Sequence, residues 1–176
     1  MQAAQKLADW AKAGYLTEDA NAIKWDDTPI NFAKGEGVFM VGGTWWAAQL
    51  RDEMGDRVGF MTPPPAQAGG PPVTMGGESI PFSITSKSRN ADVAAAYINF
   101  LTSPEAMDVS VETGNLPVLD PPSKQPQGTL MQEIFQAWKR LSETDGITPY
   151  LDYATPTLAD AYGGPLQELV AGRTGA

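Results

Sequence analysis

The chain has 176 residues, 42% of them hydrophobic, enough for one domain or a small pair with an ordinary apolar core. Lys and Arg number 12 against 21 Asp and Glu; the net charge of -9 contains no basic run, which argues against a phosphate-backbone reader and so against nucleic acid as a partner. Neither cysteine nor histidine occurs, so disulfides, thiol nucleophiles, imidazole bases, the usual zinc ligands and both Ser-His and Cys-His triads are excluded.

The first element is an amphipathic helix, MQAAQKLADWAKAGYL, in which Ala3, Leu7, Trp10 and Ala11 share a face and Gly14 is the stop. It lacks the continuous apolar middle of a signal peptide, and it opens in mid-helix, as a piece of a longer protein would. A second short helix is expected at DDTPINFAKG, with Asp27 or Thr28 as N-cap, Pro29 at the first helical position and Gly35 as the stop. In GEGVFMVGGTWWAAQL the apolar run Val38 to Val41 predicts a buried strand. Gly42-Gly43 gives room for a turn, and a helix follows from Trp45 to Met54. Arg57 to Met61 predicts a short strand, completing an α-β-α-β rhythm.

Thr62 to Val73 (TPPPAQAGGPPV) is too rich in proline and glycine for a regular element, and is the expected boundary. The alternation Ile80, Phe82, Ile84 predicts a half-buried strand within Met75 to Ser86, with Pro81 marking an edge or bulge. Asn90 caps a helix with Val93, Ala96, Tyr97, Phe100 and Leu101 on one face. Ser103-Pro104-Glu105 starts another, running to about Thr113. A longer helix from about Thr129 to Glu143 has the apolar face Leu130, Ile134, Trp138, Leu141. Tyr150 to Pro156 leads into a last helix that Gly163-Gly164-Pro165 should kink or break. No stretch approaches the roughly 20 apolar residues of a bilayer span.

Several pieces, in order, carry a family likeness. NFAKGEGVFMVGGTWW resembles a passage F-x-x-G-x-x-x-M-x-x-x-G-x-W, here Phe32, Gly35, Met40 (displaced by one), Gly43 and Trp45. GGESIPFSITSKSRNADVAAAYINFLTSPEAM is similar to a Gly-Gly strand, a short loop and an A-A-x-x-F-x-x-x-x-S-P-E helix pair. GNLPV and YLDYATPTLADAYGGPLQELVAGR resemble closing segments. Together they resemble the C-terminal half of an extracellular solute-binding protein of an ABC importer, in the family that includes maltose- and oligosaccharide-binding proteins. The resemblance implies an α/β fold, part of a two-lobe periplasmic-binding-protein-like architecture, helix-rich with a few short strands. Residues 1–74 then belong to the second lobe. Residues 75–114 form the segment of the first lobe and the hinge crossing, and residues 115–176 return to the second lobe and stop before a terminal helix.

The resemblance also implies the function: a carbohydrate bound between lobes by hinge closure and delivered to the membrane subunits of an ABC permease, with no cofactor, no metal and no catalytic residue. The full-length protein is expected to be a monomer outside the cytoplasm, periplasmic or held at the cell surface as a lipoprotein. A non-sugar ligand in the same scaffold (polyamine, phosphodiester or peptide) is the first alternative. A carbohydrate-active enzyme is the second: it needs two carboxyls about 5 to 9.5 Å apart, and no spacing gives Glu78 a partner.

Three places carry the candidate ligand-binding residues. A sugar offers hydroxyls to hydrogen bonds and a C–H face to an aromatic plane, and Trp45 and Trp46 stand at a helix start where α/β folds bind ligands. In relatives the tryptophan after the glycine often stacks on ligand, and that role carries to Trp45. Trp46, rotated about 100° away, is expected to pack, although both rings are also readable as core anchors. At Gly76-Gly77-Glu78-Ser79, Gly77 lets the backbone approach a ligand while Glu78 and Ser79 bring an acceptor and a donor. A plain turn with a solvated Glu78 reads equally well. Tyr150, Asp152 and Tyr153 offer rings and a bidentate acceptor, against a reading of Asp152 as a helix-start residue and Tyr153 as packing. Trp10, Trp25 and Trp138 are expected to pack.

Overall fold

The computed structural model describes residues 2–77, 81–118 and 124–175. The chain divides into two compact units, Met1–Val41 with Pro149–Ala176, and Gly42–Thr148.

The first unit is built on helix α1 (Gln2–Lys12) and the short α2 (Asp27–Ala33). Asp26 is the residue before α2, so Pro29 lies at its third position rather than its first. Its side chain is buried, and the missing N–H costs nothing in the first turn. Gly35 closes the helix with φ +99°, a conformation that other residues adopt only with strain.

The strand expected at Val38 to Val41 does not form. Val38, Phe39 and Val41 are exposed, and residues 38–41 enter no ladder among the described residues. An apolar run becomes a strand only when a neighbour takes up its N–H and C=O groups and covers its face.

The chain re-enters this unit at Pro149, passes a 3-10 turn at Leu151–Ala154 and ends in α7 (Leu158–Val170). Gly163-Gly164-Pro165 does not break α7, which runs continuously past Pro165. The side chain of Asn21 donates to the carbonyl of Gln167, 2.8 Å, tying the loop after α1 to α7. The core here is small, centred on Pro29 and Leu169.

In the second unit a 3-10 turn at Thr44–Trp46 leads into α3 (Ala47–Met54). The strand expected at Arg57 to Met61 is also absent: Arg57 ends a 3-10 turn, Val58 is buried, and the Phe60 N–H donates to Glu133 Oε2, 2.7 Å, instead of to a neighbouring strand. After the proline-rich segment, β1 (Thr74–Met75) pairs in parallel with β2 (Ile147–Thr148), Thr74 opposite Ile147 and Met75 opposite Thr148. This is shorter than the strand expected within Met75 to Ser86. Phe82 and Ile84 are exposed in irregular chain, and Ile80 lies outside the described residues.

Helix α4 (Ala91–Leu101) starts after Asn90 as expected, although the Asn90 side chain makes no capping bond. In α5 (Pro104–Glu112) the cap is made: Ser103 Oγ accepts from the Ala106 N–H, with Pro104 at the first position. Helix α6 (Thr129–Glu143) packs on α3 and supplies most of the core: Leu130, Met131, Ile134, Ala137 and Leu141 are buried with Trp46, Ala47, Leu50, Met107 and Val111. Trp138, expected on the packed stripe, is 38% exposed at its margin, with Ala137 inside in its place. Trp10 and Trp25 are likewise more than half exposed. The fold is helix-rich α/β, as expected.

Candidate functional site

Trp45 and Trp46 sit in one 3-10 turn but in different surroundings. Trp46 is 8% exposed and continues the inward face Trp46, Ala47, Leu50; Trp45 is 49% exposed. Their rings meet edge to face, centroids 6.0 Å apart and planes at 64°, a geometry that aromatic quadrupoles favour.

Gly43 explains how Trp45 is held. Its φ of -103° and ψ of 165° are open to any residue, so the expected need for glycine in a turn does not apply. A Cβ on Gly43 would instead collide with the benzo edge of Trp45, atoms Cη2, Cζ3 and Cε3. The indole lies flat against the glycine backbone, and the glycine before the tryptophan is a seat for its ring. The buried Trp46 fixes one side of the turn while Gly43 fixes the ring of Trp45.

Gly76 and Gly77 divide two roles. The Gly76 N–H donates to the Thr148 carbonyl, 2.9 Å, at the end of the β1–β2 ladder. Gly77, exposed and with φ +122°, has open space where a side chain would be. Its backbone is therefore accessible to a ligand. Glu78 and Ser79 lie outside the described residues.

Asp152 and Tyr153 belong to the first unit, in the 3-10 turn that follows Tyr150. The Tyr153 N–H donates to the Tyr150 carbonyl, 3.1 Å, and the two tyrosine rings stand edge to face with centroids 5.7 Å apart. Asp152 is exposed in this turn, beside half-exposed aromatic rings.

The structure thus brings Trp45 to Trp46, and Tyr150 to Tyr153. Trp45, Trp46 and Gly77 fall in one unit and Asp152 and Tyr153 in the other.

Two open concavities in the first unit escaped the sequence reading. One, of about 350 Å³, is lined by Tyr15, Phe32, Glu36 and Phe39 among others. The other, of about 480 Å³, is lined by Thr17, Glu18, Asp19, Asn21 and Arg173 among others. The sequence held one faint signal for the second: Asp in a loop tolerates positive φ, and Asp19 adopts φ 52° there. No group of three or more carboxylates that would hold a metal ion occurs among the described residues.

The family model for bacterial extracellular solute-binding proteins matches residues 1–126. The chain belongs to this family. A search of the curated proteins found no match. The matched span of the solute-binding protein includes Trp45, Trp46 and Gly77, and ends before Asp152 and Tyr153. Membership fixes the general role, the capture of a solute outside the cytoplasm in partnership with transport. No helix among the described residues is long and apolar enough to cross a membrane.

Proposed function

We propose that this solute-binding protein binds a carbohydrate, with Trp45 as the platform for the C–H face of a sugar ring. The observation that carries the reading is the half-exposed indole held in place by Gly43 and by the buried Trp46. A platform fixed before the ligand arrives has less ordering entropy to lose on binding. Gly77, Glu78 and Ser79, and Asp152 with Tyr153, are the proposed hydrogen-bonding and secondary aromatic partners.

The mechanism is closure of two lobes on the ligand, residues 75–114 contributing to the first lobe and hinge, and residues 1–74 and 115–176 to the second. These lobes are a division of the two-lobe protein, distinct from the two compact units of this chain. A ligand that bridges lobes stabilises the closed form by its extra contacts there, and the closed form is what ABC permease subunits recognise. No bond changes, and the protein is not an enzyme. The full-length protein works as a monomer, periplasmic or anchored at the surface as a lipoprotein.

Calorimetric titration with a panel of oligosaccharides and a panel of polyamines tests the ligand class. Heat with sugars, weakened about tenfold or more by Trp45→Ala (roughly 1.4 kcal/mol), is the expected result. Heat with polyamines alone overturns the carbohydrate reading, and sugar affinity unchanged in Trp45→Ala removes Trp45 from the site.

A further inference from the structure

Helix α4 turns its apolar face outward. Val93, Tyr97 and Phe100 are 70%, 58% and 50% exposed, and their spacing of four and three residues places them on one stripe with Ala96. The half-buried side of the helix is the other one, Ala94, Ala95, Ile98 and Leu101, next to α5.

Charge at the ends of α4 says what kind of partner fits. Lys87 and Arg89 precede its N-terminus, and Asp92 is the acid of its first turn. Cations there oppose the helix dipole; they are stabilising beside the C-terminal carbonyls of a helix. An antiparallel copy of α4 presents those carbonyls, and the twofold relation satisfies both ends at once.

The surface area supports the same partner. The chain exposes 13100 Å² for 18.8 kDa. A folded monomer of that mass exposes about 8,300 Å², and two separate bodies of the sizes of its units about 10,000 Å². The remaining excess of roughly 3,000 Å² is several times the ~800 Å² that each partner buries in a standard interface.

We propose that α4 is a self-association surface. Two copies of this chain pair antiparallel through α4, with the twofold axis near Ala96 and Tyr97 and with Val93 of each copy facing Phe100 of the other. The proposal is independent of the ligand class.

Sedimentation velocity on the 176-residue chain over rising concentration tests it. The expected mass climbs from 18.8 kDa to about twice that value. Tyr97→Glu and Phe100→Glu hold the chain at the monomer, while Phe39→Glu, an exposed apolar site in the other unit, leaves the dimer intact. The chain has no cysteine, so engineered single cysteines report register without background. Ala96→Cys, beside the axis, crosslinks to itself under mild oxidation. Val93→Cys does so only when mixed with Phe100→Cys. These crosslinks decide the question even if a glutamate variant fails to fold.

A monomer at every concentration, assembly of a folded Tyr97→Glu like the parent, or Val93→Cys crosslinking alone as fast as Ala96→Cys would each overturn the pairing. So would a monomeric chain that pellets with phosphatidylglycerol vesicles and loses that binding in Tyr97→Glu, which would assign the face to lipid.

Discussion

Helices α6 and α4 have similar apolar patterns and opposite fates. Both repeat large apolar residues at three- and four-residue intervals, and periodicity alone predicts a covered stripe in each. In α6 the stripe Leu130, Met131, Ile134, Ala137, Leu141 is buried; in α4 the stripe Val93, Tyr97, Phe100 faces outward, and the small residues Ala94 and Ala95 turn in. Periodicity says which residues lie together on a helix. It does not say whether anything lies opposite them, because that depends on elements distant in sequence.

The same contrast holds within one dipeptide. Trp46 behaves like α6 and Trp45 like α4, and here the largest mutational difference is expected. Trp46→Ala should destabilise the fold by about 3–5 kcal/mol through lost burial and the cavity left behind, while Trp45→Ala should cost about 1 kcal/mol or less. Urea unfolding followed by circular dichroism gives both values. Equal losses would mean that Trp45 is as much an anchor as its neighbour.

A second comparison is between the helices themselves. Ile134→Ala in α6 should cost about 2–5 kcal/mol, and Val93→Ala in α4 no more than about 0.5 kcal/mol at protein concentrations low enough to keep the chain monomeric. Should Val93→Ala match Ile134→Ala under those conditions, α4 has a cover within the chain and the contrast fails.

The smallest effect belongs to an exposed ion pair. Lys124 Nζ lies 3.0 Å from Glu112 Oε1, and the hydrogen bond from and charge of Glu112 raise the Lys124 pKa above its ordinary 10.5. A raised folded-state value contributes stability that is fully present below the unfolded pKa and is lost as pH rises through the folded one. Both side chains are more than half exposed, so solvent screens the pair. Glu112→Gln should therefore leave thermal stability unchanged within error near neutral pH. Any difference from the parent should shrink as pH rises past 10.5. A clear loss in Glu112→Gln at neutral pH would show that the pair holds the segment before α6 in place.

Much of the helical structure was legible because its signals are local. Ser103 with Pro104 marked the start of α5 and Gly35 the end of α2; caps and stops act through bonds and dihedral angles within a few residues. The sheet was not legible. Val38 to Val41 has the composition of a strand and pairs with nothing among the described residues, while Ile147 and Thr148, too short to show alternation, pair across 73 positions with Thr74 and Met75. In the candidate site, the sequence pointed to the tryptophan pair but misread the glycine. Gly42-Gly43 looked like a turn, and only the coordinates show that Gly43 makes room for the Trp45 ring.

By itself, then, the sequence determined the helices, the absence of thiol and imidazole chemistry, and the ordered residues that resemble a solute-binding protein, all properties of residue type and near neighbours. Tertiary structure alone decided which apolar stripe is covered, which tryptophan faces outward and which segments become strands. Burial and ladder hydrogen bonds each need a second surface, and no local stretch of sequence contains its own.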